Sequence, residues 1–226
     1  MPSAFVADRF RSTRRYRLLA DGSGTAERLT KPEAGTEHIP QSWSPGDGHL
    51  LFSVSKAKQW TLWTMTMSDR RLAPFGGVQS INLVEGVFSP DGRWIAYQED
   101  NSTGRQVFVQ PFPATGAKYL ARQEGGGHPY WSAKGDALTL NIGQSSSVRI
   151  PFTTAPRVAF GQPEGFSRAG RNEPNPGTSR RNADSMPDGE HIIGVYTGGA
   201  TGATEGAQIQ VILNWFDEVR QRSPRK

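Results

Sequence analysis

The chain of 226 residues contains no cysteine. That excludes disulfides, thiolate metal sites and cysteine nucleophiles, but fits either side of a membrane. No stretch approaches the roughly 18 consecutive apolar residues of a membrane-spanning helix. The opening MPSAFVADRFRSTRR lacks an apolar core of signal-peptide length. As written, the chain is expected to be cytoplasmic, or periplasmic if it belongs to a larger anchored or exported protein, with no membrane insertion. Catalytic motifs are missing too. There is no His-Arg-Asp loop, no Asp-Phe-Gly and no glycine-rich loop followed by a strand lysine, so no kinase chemistry resides here. GQSSSV and GFSRAG lack the second glycine of Gly-x-Ser-x-Gly. The clusters DGSG, GGG and GGATGATEG do not follow nucleotide-loop spacings and read as loops. No cofactor is expected.

The formal net charge of +5 sits at the two ends. Residues 1–20 hold five arginines against one aspartate, and residues 217–226 hold four basic against two acidic side chains. A nucleic-acid surface needs a basic patch organised on the fold and interleaved with stacking aromatics. Basic ends on a nearly neutral body imply solvated tails and no nucleic-acid partner.

What the chain has in quantity is glycine (26), proline (16) and aromatics (10%), a mix suited to short strands and tight turns. It also repeats itself. WSPGDGHLLF begins at Trp43, FSPDGRWIAY at Phe88, WSAKGDALTL at Trp131 and SMPDGEHII at Ser185. The spacings are 45, 43 and 54 residues, the last including a polar insertion, SRAGRNEPNPGTSRRNAD. A second element keeps step: Leu62 in TLWTMTM and Val107 in QVFVQPF each follow the motif aromatic by 19 residues. SVRIPF and QIQVILNW follow the third and fourth copies.

The turn has a physical reading. Proline presets the second position of a β-turn, aspartate accepts from nearby backbone amides, and glycine takes a positive φ without strain. The run after it, RWIAY, has the composition of a half-buried strand. Pro45, Asp47, Gly48, Pro90, Asp91, Gly92, Gly135, Pro187, Asp188 and Gly189 are therefore read as turn residues, with Gly46 as an extra residue in the first copy. Asp91 shapes a turn and is not a catalytic acid. Trp43, Phe88 and Trp131 are expected to pack between sheets.

A repeat of about 40–45 residues holding several strands marks a β-propeller blade, whose sheet must stack on its neighbours. The W-S-P-D-G pattern followed by LW or VFV strands resembles the WD40-like repeat of TolB-type propellers. The closing QIQVILNWFDEVRQ resembles the end of propellers attached to bacterial serine/threonine kinases. RYRLLADGSGTAERLT resembles the last strand of an earlier blade and its exit. The resemblance implies an all-β propeller of four recognisable blades plus part of a fifth, a possible fragment of a larger ring. The resemblance implies a complete ring of six or more blades. The arc is thus expected to be part of a longer protein, to be completed by self-association or another chain, or to stay short and open. The expected organisation is a basic tail over 1–14 and blades over 15–216, with motif cores near 43–67, 88–112, 131–152 and 185–215. A short C-terminal helix over 217–226 follows.

Four histidines remain. His49 and His191 follow turn glycines, the place of solvent-facing strand residues. His38 and His128 each precede a motif tryptophan and enter their blades at similar places, with Glu85 in the blade between them. His38, Glu85 and His128 are candidate metal ligands, since histidines and carboxylates bind divalent ions and the resemblance includes oligogalacturonate-lyase-like propellers. Asn101 in NST is read as a turn residue. The leading expectation is a non-catalytic binding module for a protein or peptide ligand, presented by loops around 31–42, 76–86 and 122–130. Two alternatives stay open: a metal-dependent lyase-like enzyme, and the gating propeller of a prolyl-oligopeptidase-like peptidase.

Overall fold

The computed structural model describes residues 4–5, 15–19, 27–143, 146–167, 183–185 and 192–194. Two compact units arise, one of residues 1–32 with 198–226 and one of residues 33–197. In the first unit, β1 (Ala4–Phe5), β2 (Arg15–Leu19) and β3 (Glu27–Thr30) form a three-stranded antiparallel sheet. Two departures from the sequence reading follow. Residues 4–5, expected in a tail, pair with β2, and the segment expected to be one strand with its exit makes two strands.

In the second unit the period of the motif becomes a period of sheets. The first blade is β4 (Thr36–Trp43), β5 (His49–Lys56), β6 (Gln59–Thr66) and β7 (Leu72–Pro74). The second is β8 (Gly86–Phe88), β9 (Trp94–Asn101), β10 (Gly104–Pro111) and β11 (Tyr119–Leu120). The third is β12 (Gly127–Trp131), β13 (Ala137–Asn141), β14 (Ser146–Thr153) and β15 (Ala159–Phe160), with β16 (Glu164–Ser167) pairing the other half of β14. β17 (Ala183–Ser185) and β18 (Ile192–Gly194) form an antiparallel pair in which Ser185 faces Ile192. Pairing within every blade is antiparallel and sequential. The inner strands follow one another, β4 against β8, β8 against β12, β12 against β17.

Alternation along each strand decides which neighbour a side chain meets. On β9, Ile95 and Tyr97 face the first blade, whereas Trp94 and Ala96 face the third. The first seam between blades is packed by Leu51, Leu62, Phe75, Val84, Phe88 and Tyr97, among others. The second is packed by Val87, Val107, Trp131, Leu138, Ile150 and Phe152, among others. Leu62 and Val107, equidistant from their motif aromatics, are both fully buried. Phe88 and Trp131 are buried as expected of core aromatics, while Trp43 is only half-buried. Gly86 faces the first blade, where a Cβ would lie 2.8 Å from Leu51 Cδ2, so its lack of a side chain sets how closely β8 approaches.

Candidate functional site

The repeated turns come first, because they use most of the conspicuous side chains. Ser44, Ser89 and Ser132 close equivalent turns. Each hydroxyl accepts the amide five residues on, from His49 at 2.9 Å, Trp94 at 3.0 Å and Ala137 at 3.1 Å. Asp91 takes the Ser89 hydroxyl at 2.5 Å, the Arg93 amide at 3.0 Å and Arg93 Nε at 2.7 Å. Burial works against its charge, but these hydrogen bonds and the Arg93 cation outweigh it and hold the carboxyl below its ordinary range. The third copy has Lys134 at this place, and Asp136 receives the Ser132 hydroxyl at 2.6 Å instead. The carboxylate has moved two positions along the turn and kept its task.

Gly46 is not an insertion. The amides of Asp47, Gly92 and Gly135 donate to the carbonyls of Ser44, Ser89 and Ser132 at 2.9–3.0 Å, so the three turns have one length. Asp47, at φ 57°, holds the left-handed position that Gly92 and Gly135 hold at 70°. The turns also stack. A Cβ on Gly92 would lie 3.3 Å from Pro45 Cδ, and one on Gly135 3.4 Å from Pro90 Cδ. Each proline thus packs beside the next blade's turn. Pro187, Asp188 and Gly189 lie outside the described residues, as do His191, the strand expected over 208–215 and the C-terminal helix.

At the inner edge, Glu85 and His128 meet, His128 Nδ1 lying 2.5 Å from Glu85 Oε2 with both residues buried. They come from neighbouring blades, three residues before Phe88 and Trp131 respectively. Gln98 sits between the strands, accepting the His128 amide at 2.8 Å and donating to the Leu83 carbonyl at 3.2 Å. Next to it, Arg105 grips Asp100 through Nε at 2.8 Å and Nη2 at 2.9 Å, and Asn82 Nδ2 adds a third donor at 2.9 Å. Burial would raise the Asp100 carboxyl, yet the hydrogen bonds from Arg105 and Asn82 hold it below its ordinary range, aided by the Arg105 and His128 charges. The bond to Asp100 raises Arg105 in turn, against its own burial.

His38 does not join this cluster. It lies on β4 opposite Val54, half-buried, with its ring 5.4 Å from that of Phe52. Among the described residues no three His, Cys, Asp or Glu side chains come together to hold a metal ion. The candidate set His38, Glu85 and His128 is therefore not assembled. His49 also departs from expectation, since its ring packs edge-on against Phe112 at 5.0 Å. Asn101 shapes a turn, its Oδ1 accepting from the Thr103 amide and hydroxyl.

The loops expected to recognise a ligand are shorter than their sequence ranges. Residues 36–42 belong to β4, Gly86 to β8 and 127–130 to β12. What remains of the latter two are crossings from the outer strand of one blade to the inner strand of the next. The first crossing is clamped in its middle. Ser80 exchanges both backbone hydrogen bonds with Trp60, its hydroxyl accepts the Asp100 amide at 2.9 Å, and the Ile81 amide donates to the Asp100 carbonyl at 3.0 Å. Ile81 itself is 61% exposed and Asn82 is exposed beside it. The second crossing presents Gln123 and Glu124, while Arg122 bonds back to the Gly125 carbonyl at 2.8 Å. Gln98, Asp100, Arg105 and Ser80 escaped the sequence reading. The available signal was alternation, for Trp94, Ala96, Gln98 and Asp100 share one face of β9 and Arg105 pairs across from Asp100.

Four-stranded antiparallel blades arranged inner strand beside inner strand define a β-propeller. The comparisons agree on the type. The chain is 30% identical over 116 residues to the Tol-Pal system protein TolB of Anaeromyxobacter dehalogenans, a match covering 47% of this chain and 26% of the relative. In structure it is similar to TolB from Acinetobacter baumannii, with a TM-score of 0.64 and 20% identity over 87% of this chain and 46% of that one. It is also similar to an oligogalacturonate lyase in complex with manganese, with a TM-score of 0.52 and 10% identity over 82% of this chain and 54% of the other. Likeness at such identities concerns the fold alone. No protein-family model matches the chain. The fold is a TolB-like β-propeller, and the aligned region spans about a quarter of the curated TolB and under half of the solved one. The kinase-associated reading finds no support in these comparisons.

Proposed function

We propose that the chain is a non-catalytic propeller that binds a protein or peptide ligand on the loops of its blade crossings. The carrying observation is the first crossing, where Ser80 and Asp100 fix the backbone while Ile81 and Asn82 stay exposed at its tip. A rigid scaffold that presents side chains on pinned loops loses little conformational freedom on binding. The ionisable groups of the inner edge support the same reading, because Glu85, His128, Asp100 and Arg105 are engaged with one another across and within blades. The relative's name places it in the Tol-Pal system, which favours a protein partner over a small substrate.

The test is selection of a random peptide library on the immobilised chain, followed by affinity measurement on the wild type and on Ile81→Asp. The expected result is peptides whose Kd rises at least about tenfold in the variant, a loss of about 1.4 kcal/mol, at unchanged Tm. Peptides that bind both proteins alike would overturn the proposed surface. Turnover of a uronate polymer in the presence of manganese would overturn the non-catalytic assignment.

A further inference from the structure

The tip of the first crossing carries one apolar and one polar side chain, and the polar one is not free to turn. Asn82 donates twice inward, its backbone amide to Ser80 Oγ at 3.3 Å and its side-chain Nδ2 to Asp100 Oδ2 at 2.9 Å. An ionised carboxylate only accepts, so Nδ2 rather than Oδ1 must face Asp100. Asp100 is itself fixed, by Arg105 through Nε at 2.8 Å and Nη2 at 2.9 Å. Arg105 is backed in turn by the second crossing, where a Cβ on Gly127 would lie 2.9 Å from Arg105 Cδ. Asn82 Oδ1 makes no hydrogen bond among the described residues, and Asn82 is exposed.

We propose, resting on the binding reading above, that Asn82 determines specificity at this surface: its Oδ1 accepts an N–H of the ligand, next to an apolar ligand side chain that covers Ile81. Asp100 is the positioning residue, acting on the ligand only through the amide it orients. Three features favour a ligand that donates. With one N–H spent inward, the Asn82 amide keeps two lone pairs against a single remaining N–H. Donation to a carboxylate polarises the amide and strengthens its oxygen as an acceptor. A tethered amide also gives up little rotamer freedom when the ligand arrives. Ile81 supplies the apolar half, 61% exposed on a backbone whose amide is bonded to the Asp100 carbonyl. The ligand N–H can belong to a peptide backbone or to a side chain, and the two are separable by experiment.

The probes are peptides selected from a random library on the immobilised whole chain and kept for their dependence on Ile81. Asn82→Ala should raise their Kd about fivefold at unchanged Tm. Two scans of a selected peptide trace that loss to one group, N-methylation of each backbone amide and alanine at each side chain bearing an N–H. One position should weaken binding to the wild type and have no effect on Asn82→Ala, in the first scan for a backbone donor and in the second for a side-chain donor. Asp100→Ala, or Asp100→Asn if the alanine variant does not fold, should weaken the same peptides and add nothing in the Asn82→Ala background. Both variants keep the main-chain bonds of residue 100 to Ser80 and Ile81, so an additive loss would overturn the positioning role. Ile81-dependent peptides that bind Asn82→Ala unchanged, or that have no position coupled to Asn82, would overturn this inference and leave the binding reading standing. A library without Ile81-dependent peptides would overturn both.

Discussion

The two seams between blades share an apolar plan and part company at the inner edge. At the first, two hydroxyls and an amide do the polar fastening: Ser53 Oγ donates to the Val84 carbonyl, Ser42 Oγ accepts the Phe88 amide at 3.2 Å, and Gln110 Nε2 donates to the Gly76 carbonyl at 3.3 Å. At the second, Glu85, Gln98 and His128 take over, with Arg105 pressed against Gly125 and Gly127. The cause lies in chain length. Phe75 and Ala121 donate to equivalent carbonyls, Leu62 and Val107, but Phe88 lies 13 residues beyond the first and Trp131 only 10 beyond the second. The longer crossing has room to project Ile81 into solvent. The shorter one needs three glycines and a left-handed histidine to arrive at all. Both crossings use glycines at positive φ, Gly76 and Gly77 in the first and Gly125 and Gly126 in the second, but the Cβ of Gly76 would meet the end of the Gln110 side chain and that of Gly125 a backbone oxygen.

If the apolar plan is truly shared, equal truncations should cost equally. Phe88→Ala and Trp131→Ala each remove a buried aromatic from the same place in successive blades, at about 3–5 kcal/mol. Urea unfolding of the two variants checks this, and the two losses should agree within about 1 kcal/mol. A much cheaper Trp131→Ala would show that the second seam depends on its polar groups more than on packing. Both aromatics also engage other rings, Phe88 with Phe112 at 5.0 Å and Trp131 with Phe152 at 5.1 Å, so neither site can collapse without moving a partner.

The next contrast bears on strain. Gly125→Ala puts a methyl 2.5 Å from a backbone oxygen at a positive φ, and neither can yield easily. The expected loss is about 3 kcal/mol. Gly77→Ala in the first crossing, at φ 65° with nothing within 4 Å of the added atom, should cost only about 1 kcal/mol. Comparable values of Tm for the two variants would mean that the second crossing is not under the constraint described.

The propeller itself was legible in the sequence because its turn motif is a local device. Ser, Pro, Asp and Gly act within five residues, and their spacing survives as blade period. Phe88, Trp131, Leu62 and Val107 were legible for the same reason, as fixed offsets along regular strands. The inner-edge cluster was only half legible. Glu85 and His128 drew notice as residue types near a motif aromatic, yet their meeting depends on how two blades stack. His38 was grouped with them as a histidine shortly before a motif tryptophan, but it stands five residues before Trp43 where Glu85 and His128 stand three before Phe88 and Trp131, and Pro40 holds that place in the first blade. Asp100 and Arg105 belong to no motif, and alternation puts Asp100 on the Trp94 face of β9 without saying which blade will cover that face.

A smaller effect depends on pH. The folded state holds the Asp100 carboxyl below its ordinary range, so the carboxylate stabilises the fold above that range and the contribution is lost as pH falls through and below it. Asp100→Asn should cost about 2 kcal/mol near neutrality, through weakened bonds to Arg105, and should flatten the acid limb of a stability–pH curve. Ser53→Ala, at the first seam, removes a hydroxyl that does not titrate and should shift the whole curve without changing its slope. Parallel acid limbs for wild type and Asp100→Asn would place the titrating stability elsewhere.

The smallest effects are expected at the turns, where both seams have the same construction. Asp91→Ala removes the acceptor for Ser89, Arg93 N–H and Arg93 Nε, but the carboxylate and arginine are largely exposed, so water replaces much of what is lost. Asp136→Ala removes the acceptor for Ser132 alone among hydroxyls of that turn and leaves the Gly135 amide bonded to the Ser132 carbonyl. Each should cost less than about 1 kcal/mol. The informative variant combines Lys134→Asp with Asp136→Ala, which returns the carboxylate to the position it holds in the second copy. Recovery of the Asp136→Ala loss, read as Tm, would show that the two turns are interchangeable and that the carboxylate serves the serine wherever along the turn it stands. No recovery would mean that Lys134 or the Arg149 cation 3.8 Å from Asp136 sets the third turn apart.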